Sequence, residues 1–70
     1  MEEIDFKIKN ICLKLAQVRI SKNLAAFALS TMLGKNKNYI SRIEAGTTNI
    51  TLKALLEICQ VLEVDPKELF

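Results

Sequence analysis

Glycine and proline, the residues that most often interrupt helices, are scarce in this sequence. The chain has two glycines, Gly34 and Gly46, and one proline, Pro66. So few interruptions in 70 residues disfavour long loops and turn-rich β architectures. Half of the residues are hydrophobic, which is enough for a compact core, although a chain of this size buries only about 60% of its unfolded surface. We therefore predict one small helical domain, residues 1–70.

Hydrophobic residues recur at three- and four-residue intervals before Gly34, which predicts two helices. The first spans about residues 4–20, with an apolar row at Ile8, Ile11, Leu15 and Val18. The second spans about residues 24–33 and carries no charge. Ser21 or Asn23 could cap its start, and Gly34 suits the left-handed position that ends it. Its inward face would be formed by Leu24, Phe27, Ala28, Leu29, Met32 and Leu33.

Three further helices are predicted after Gly34. Asn36 is a good N-cap for a third helix, over about residues 36–45, with Ile40 and Ile43 facing inward and Tyr39 partly covered. Thr51 can cap a fourth helix. Its amphipathic stripe would be formed by Leu52, Leu55, Leu56, Cys59 and Leu62. A short last helix has a capping arrangement in Asp65, Pro66 and Glu68. The fold class is therefore all-α, with five helices.

The composition excludes several classes of function. There is no histidine and there are only two cysteines, so a zinc site has too few ligands. Cys12 and Cys59 lie in apolar helical patterns and are expected to be buried, reduced thiols. No nucleophile–base pair or phosphate-cradling glycine loop is evident, so we expect no catalytic residue, no cofactor, no metal and no small-molecule ligand. The charged start and the short apolar runs indicate a soluble cytoplasmic protein without a membrane segment.

The charges are unevenly distributed along the chain. Residues 6–43 hold eight of the ten basic residues and none of the eight acidic ones. Residues 1–5 carry three acids, and residues 44–70 carry five. Such asymmetry in one small domain suggests a surface that meets a polyanion. A solvated basic face without a partner would give the same pattern.

The second and third helices are arranged like a helix-turn-helix, over about residues 24–45. About three residues join them, and Gly34 can adopt the positive φ that the turn needs. Ser30 is small enough for the helix crossing, and Ile40 and Ile43 would anchor the third helix. In this motif the second helix of the pair enters the DNA major groove.

The stretch LAAFALSTMLGKNKNYISRIEAG, residues 24–46, resembles the Cro and phage-repressor-like, or XRE, family. The resemblance extends over roughly residues 8–70, since NITLKALLEICQVLEVDPKELF matches the family's last two helices. It implies a five-helix, lambda-repressor-like DNA-binding domain and an ion pair between Arg19 and Glu44. Three positions depart from the pattern. Ala26 replaces a glutamine that contacts phosphate, Ala25 replaces a Ser or Thr cap, and Ser30 stands where alanine is usual.

Together, position and resemblance imply roles for individual residues in binding double-stranded DNA. Lysine can donate to guanine and asparagine can pair with adenine. The expected base contacts are Lys37, Asn38, Ser41 and Arg42. The expected phosphate contacts are Lys22, Lys35, Asn36, Tyr39, Thr47, Thr48 and Asn49. For Asn36 simple capping is an equal alternative, and for Tyr39 a packed ring is slightly favoured.

One recognition helix reads few base pairs, so we expect a homodimer. Its contact would involve Ile50, Val64, Leu69 and Phe70, although Val64 is better explained as part of the monomer core. The expected function is a sequence-specific transcriptional regulator, and repressors, restriction-modification controllers and antitoxins remain open. The alternative is a protein-interaction module, antitoxin-like or an adaptor, that keeps the fold with weak or no DNA reading. The charge-free second helix, with Ala25, Ala26 and Phe27, motivates that alternative.

Overall fold

The computed structural model describes residues 2–70, and every regular element in that range is helical. The elements are α1 (Glu2–Ser21), α2 (Ala26–Met32), α3 (Tyr39–Glu44), α4 (Leu52–Leu62) and a single 3₁₀ turn (Pro66–Leu69). The all-α class is therefore confirmed, but four α-helices are present rather than five. The last segment has the predicted capping box, in which Asp65 Oδ1 accepts from Lys67 N at 3.0 Å and Glu68 Oε2 accepts from Asp65 N at 3.1 Å. It forms a 3₁₀ turn of four residues rather than an α-helix.

The break between α1 and α2 differs from the prediction. Asn23 has a left-handed φ of 57°, and its N–H donates to Ile20 O at 2.9 Å. The hydroxyl of Ser21 donates to Val18 O at 2.6 Å. Both residues therefore complete the end of α1, and the prediction that one of them caps α2 was wrong. Ala25 occupies the N-cap position and offers no side-chain hydrogen bond.

The buried core is formed by side chains from all five elements. Those less than 2% exposed and largest in volume are Leu15, Leu29, Ile40, Ile43, Ile58 and Leu69. α2 packs on α3, α3 also packs on α1, and the 3₁₀ turn packs on both α1 and α4. α3 is thus in contact with both α1 and α2.

Several residues predicted to face the core lie at the surface. In α1, Ile8 is 45% exposed while Cys12 is buried. In α2, Phe27 and Met32 are exposed, because the buried face of this helix is the one that carries Leu29 and Ser30. The buried face of α4 also differs from the predicted one. Leu52 and Leu56 are exposed, and the buried row is Leu55, Ile58, Cys59 and Leu62.

The two cysteines are buried and free, as predicted. Burial raises the pKa of the Cys12 thiol, with a further contribution from Glu44. Burial likewise raises the pKa of Cys59, and Asp65 and Glu68 add to the shift. Within residues 2–70, no helix is both long enough and apolar enough to span a membrane.

Candidate nucleic-acid interface

The turn after α2 begins with the backbone pattern that glycine favours. Gly34 has a φ of +71°, and its N–H donates to Thr31 O at 3.0 Å. The N–H of Lys35 donates to Ser30 O at 3.0 Å. This pair of bonds is the Schellman ending of a helix, in which a left-handed residue lets the chain turn away. The predicted role of Gly34 is confirmed.

α3 begins two residues later than predicted, since its N-cap is Asn38 rather than Asn36. The side chain of Asn36 accepts from Asn38 N at 2.9 Å, and Tyr39 N donates to Asn36 O at 2.9 Å. These bonds close a tight turn before the first α-helical bond, which runs from Arg42 N to Asn38 O. The N-cap position is therefore Asn38, without a side-chain hydrogen bond, and Asn36 caps the preceding turn instead.

The candidate base contacts lie on the solvent side of this segment. Lys37 and Asn38 are exposed in the turn, and Ser41 and Arg42 are exposed on α3. The opposite side of α3 is anchored, because Ile40 and Ile43 are 0% exposed. The structure thus brings these four polar side chains to one end and one face of a helix whose other face is fixed.

The Arg19 side chain joins α1 to the end of α3 and to the loop before α2. Its Nε donates to Glu44 Oε2 at 2.7 Å and its Nη2 donates to Glu44 Oε1 at 3.0 Å. Its Nη1 donates to Leu24 O at 2.7 Å. The hydrogen bonds to Glu44 and that residue's negative charge raise the pKa of Arg19, whereas its partial burial opposes them. The pair therefore fixes the C-terminal end of α3 against α1, and the Arg19 bond to Leu24 O holds the loop before α2.

The candidate phosphate contacts fall into separate groups. Near the turn, the Lys35 ammonium lies 5.6 Å from the centre of the half-buried Tyr39 ring. After α3, the Thr47 hydroxyl donates to Arg42 O at 3.1 Å. Thr48 and Asn49 are exposed but border a cleft of about 270 Å³ beside the first half of α1. Lys22 is exposed in the turn that follows α1.

The candidate dimer contacts are not equally accessible. Phe70 is 69% exposed, and Ile50 and Val64 are half-buried. Leu69 is 0% exposed, so its proposed dimer contact was wrong. The 3₁₀ turn folds back against α1 and α4, and this arrangement encloses Leu69 within the monomer.

Sequence patterns missed one feature of this region. Ser30 was predicted only as a small residue at the helix crossing, and it is indeed fully buried. Its hydroxyl also accepts a hydrogen bond from α3, which a spacing pattern along one chain segment could not reveal. In residues 2–70, no cluster of three or more His, Cys, Asp or Glu side chains could hold a metal ion.

Comparison with known proteins agrees with this architecture. The helix-turn-helix family model matches residues 15–69. The control protein C.BamHI of Bacillus amyloliquefaciens is 39% identical over 57 residues, which cover 80% of this chain and 70% of that protein. The crystal structure of the restriction-modification controller protein C.AhdI from Aeromonas hydrophila matches with a TM-score of 0.85 and 26% identity. That match covers 94% of this chain and 96% of C.AhdI. The chain belongs to the XRE-type helix-turn-helix family of DNA-binding transcription regulators.

Proposed function

We propose that this protein is a homodimeric, sequence-specific controller of transcription in a restriction-modification system. Both relatives described above are named as control or controller proteins, and the second is named as a restriction-modification controller. The protein would act by occupying an operator and thereby blocking or recruiting polymerase. α3 and the turn before it would form the reading surface.

The observation that carries the proposal is the two-sided character of residues 37–43. Lys37, Asn38 and Arg42 are exposed, whereas Ile40 and Ile43 are completely buried. An α-helix with its side chains is about 10–12 Å in diameter, and the B-DNA major groove is about 12 Å wide. The N-terminal end of α3 can therefore enter the groove while its apolar side stays in the domain.

Each exposed side chain has a chemistry suited to a DNA group. Lys37 would donate to the O6 and N7 acceptors of guanine, and Asn38 would pair with the N6 and N7 of adenine. Arg42 would reach a base edge or a phosphate one turn further along α3. Ser41 would contact a base edge or a thymine methyl group. Specificity would thus be concentrated in the turn and the first turn of α3.

Contacts to the DNA backbone would fix the orientation of the reading surface without carrying sequence information. We assign this role to Lys22, Lys35, Asn36, Tyr39, Thr47, Thr48 and Asn49. At the start of α2, Ala25 and Ala26 lack side-chain donors, so backbone N–H groups would approach the phosphate there.

A homodimer would double the length of DNA that is read. Operator half-sites lie about 34 Å apart, and the longest dimension of one protomer is 32 Å. Two protomers side by side can therefore present equivalent α3 helices to successive major grooves. Phe70 is the most exposed of the proposed contact residues, and Ile50 and Val64 would support it.

The test is a binding titration against DNA selected from a random library, at several salt concentrations. We expect a preferred two-fold-symmetric site, dimer stoichiometry and affinity that falls steeply with salt. Lys37→Ala and Asn38→Ala should each lower discrimination by about 1–3 kcal/mol at one base position. Lys67→Ala is the matched control, because it removes an exposed charge from the 3₁₀ turn, which packs on α1 and α4. Unchanged sequence preference in both variants would refute the recognition assignment.

The restriction-modification role has its own test. The gene for this protein should adjoin genes for a DNA methyltransferase and an endonuclease, and the selected site should lie upstream of them. A transcriptional reporter driven by that upstream DNA should change its output when the protein is present. If the protein binds DNA with high affinity but its gene does not adjoin such genes, it would still be a transcription regulator, but the assignment as a restriction-modification controller would be wrong.

A second candidate function is favoured by the surface of α2. This helix has no charged residue, and its Phe27 and Met32 side chains are 59% and 58% exposed. Such a surface would suit a protein partner in an antitoxin-like or adaptor role. Absence of DNA binding even at low salt would favour this function over the controller role.

A further inference from the structure

The first amides of α3 need a hydrogen-bond partner that α3 itself does not supply. The opening N–H groups of any α-helix have no acceptor within the helix. Asn38 holds the N-cap position, but its side chain makes no cap hydrogen bond. Ile40, two residues later, is 0% exposed. Its N–H therefore lies where an unpaired donor would be unfavourable.

Ser30 of α2 provides the missing acceptor. The Ile40 N–H donates to Ser30 Oγ at 3.0 Å, and the Ser30 hydroxyl donates to Ala26 O at 2.8 Å. Ser30 is 0% exposed. A single buried hydroxyl thus accepts from α3 and donates to α2. Because both of its partners are backbone groups, the hydroxyl links the two helices independently of neighbouring side chains.

We infer that Ser30 is a positioning residue that caps the recognition helix from the neighbouring helix and sets the placement of its reading end. The bond joins α2 to α3 only two residues from Asn38 and three from Lys37. The consequence for DNA reading rests on the proposed function, whereas the cap itself does not.

The Ser30–Ile40 hydrogen bond lies where it can control the orientation of the N-terminal end of α3. The other end of α3 is held by the Arg19–Glu44 pair, and Ile40 lies about 6 Å from Glu44 along the helix axis. If the Ser30 bond is lost, α3 can tilt about the fixed end, and the displacement is largest at Lys37 and Asn38. Hydrogen bonds to base edges tolerate only a few tenths of an ångström, so a small tilt would weaken specific binding.

The experiment compares Ser30→Ala and Ser30→Cys with Thr31→Ala. Ser30→Ala removes the acceptor, whereas Ser30→Cys fills the same space with only a weak acceptor. Thr31→Ala is the matched control, because the Thr31 hydroxyl also donates to the backbone of α2, at Ala28 O, but is exposed. Amide hydrogen exchange is measured by NMR, and the readout is the protection of Ile40 relative to Ile43. General destabilisation lowers the exchange protection of both amides equally and leaves the ratio of the two unchanged.

We expect both Ser30 variants to lower the Ile40-to-Ile43 protection ratio by about five- to thirty-fold, the range for an unpaired buried amide. Affinity for the selected DNA should fall by a comparable factor, with affinity for random-sequence DNA nearly unchanged. Thr31→Ala should alter neither quantity. An unchanged protection ratio in Ser30→Ala would overturn the inference, and so would a wild-type ratio in Ser30→Cys.

Two further outcomes are distinguishable. If the wild-type protein binds no DNA, the proposed function fails, but the exchange ratio still decides whether Ser30 caps α3. If Ser30→Ala does not fold, the same ratio is read in Ser30→Cys, and an unchanged value there overturns the inference.

Discussion

Substituting Glu44 by glutamine removes one charge of the ion pair between α1 and α3 while leaving the side-chain shape almost unchanged. In the wild-type protein the Arg19 guanidinium makes two hydrogen bonds to this carboxylate, at 2.7 and 3.0 Å. The two side chains are only 13% and 14% exposed. The substitution would leave the Arg19 charge largely shielded from water and without a compensating charge.

The size of the effect follows from this geometry. Breaking a fully buried ion pair costs about 3–5 kcal/mol. Here the rim of the pair remains in water, and glutamine can still accept one hydrogen bond from Arg19, so we expect a loss of about 2 kcal/mol. A domain of this length has a total unfolding free energy of roughly 4–10 kcal/mol. The single substitution should therefore remove a fifth to a half of the stability.

The assay is urea unfolding followed by circular dichroism, applied to a double-mutant cycle of Glu44→Gln, Arg19→Met and the combined variant. We expect a coupling energy of about 1–3 kcal/mol that persists at high salt, because shielded pairs are little screened. The matched control is Lys67→Ala, which breaks the 3.7 Å contact to Asp65 between side chains that are 83% and 54% exposed. That change should cost less than about 1 kcal/mol.

Either of two results would show that the ion pair does not stabilise the domain in this way. One is a coupling energy below about 0.5 kcal/mol, which would mean that Arg19 acts only through its bond to Leu24 O or through packing. The other is an equal loss in Glu44→Gln and Lys67→Ala, which would mean that burial gives the pair no additional strength.

Four other predictions follow from individual residues. Thr51→Ala removes the cap that accepts from Ala54 N and should cost about 1 kcal/mol of unfolding free energy in the same urea assay. Leu69→Ala should cost about 2–5 kcal/mol because Leu69 is fully buried. Phe70→Ala should leave monomer stability within about 0.5 kcal/mol but weaken self-association in sedimentation equilibrium. Burial raises the pKa of Cys12 and Cys59 above the ordinary value of 9.0. The stabilisation linked to these protonated thiols is thus complete below about pH 9 and is lost as the pH rises through the folded-state pKa values. A thiol reagent should react quickly only after urea unfolding.

Features with short-range signals were predictable from the sequence. Gly34, the Thr51 cap and the box formed by Asp65 and Glu68 each depend on residues within about five positions. The helix-turn-helix was also recognisable, because its buried pair and its turn glycine have fixed spacing. These local patterns suffice to place the proposed reading segment on the surface of the domain.

Features that depend on three-dimensional partners were not predictable in the same way. Ser21 and Asn23 have side chains suited to start a helix, yet their hydrogen bonds complete the preceding one. Leu69 lies next to the exposed Phe70 but is enclosed by the fold of the 3₁₀ turn against α1 and α4. Propensity and periodicity describe one segment at a time, and these outcomes are decided by how segments meet.

The length of α3 explains why contacts with other elements matter so much at the proposed reading surface. An isolated helix below about 12 residues is marginal in water, and α3 has six. Its order must therefore come from contacts with the rest of the domain. Ile40 and Ile43 bury one face, Ser30 accepts from its second amide, and Arg19 holds its last residue. Two of these contacts come from other helices through polar groups, which fix direction as well as distance. Hydrophobic burial alone would let so short a helix slide or rotate, and the base contacts that we propose for α3 could not tolerate that freedom.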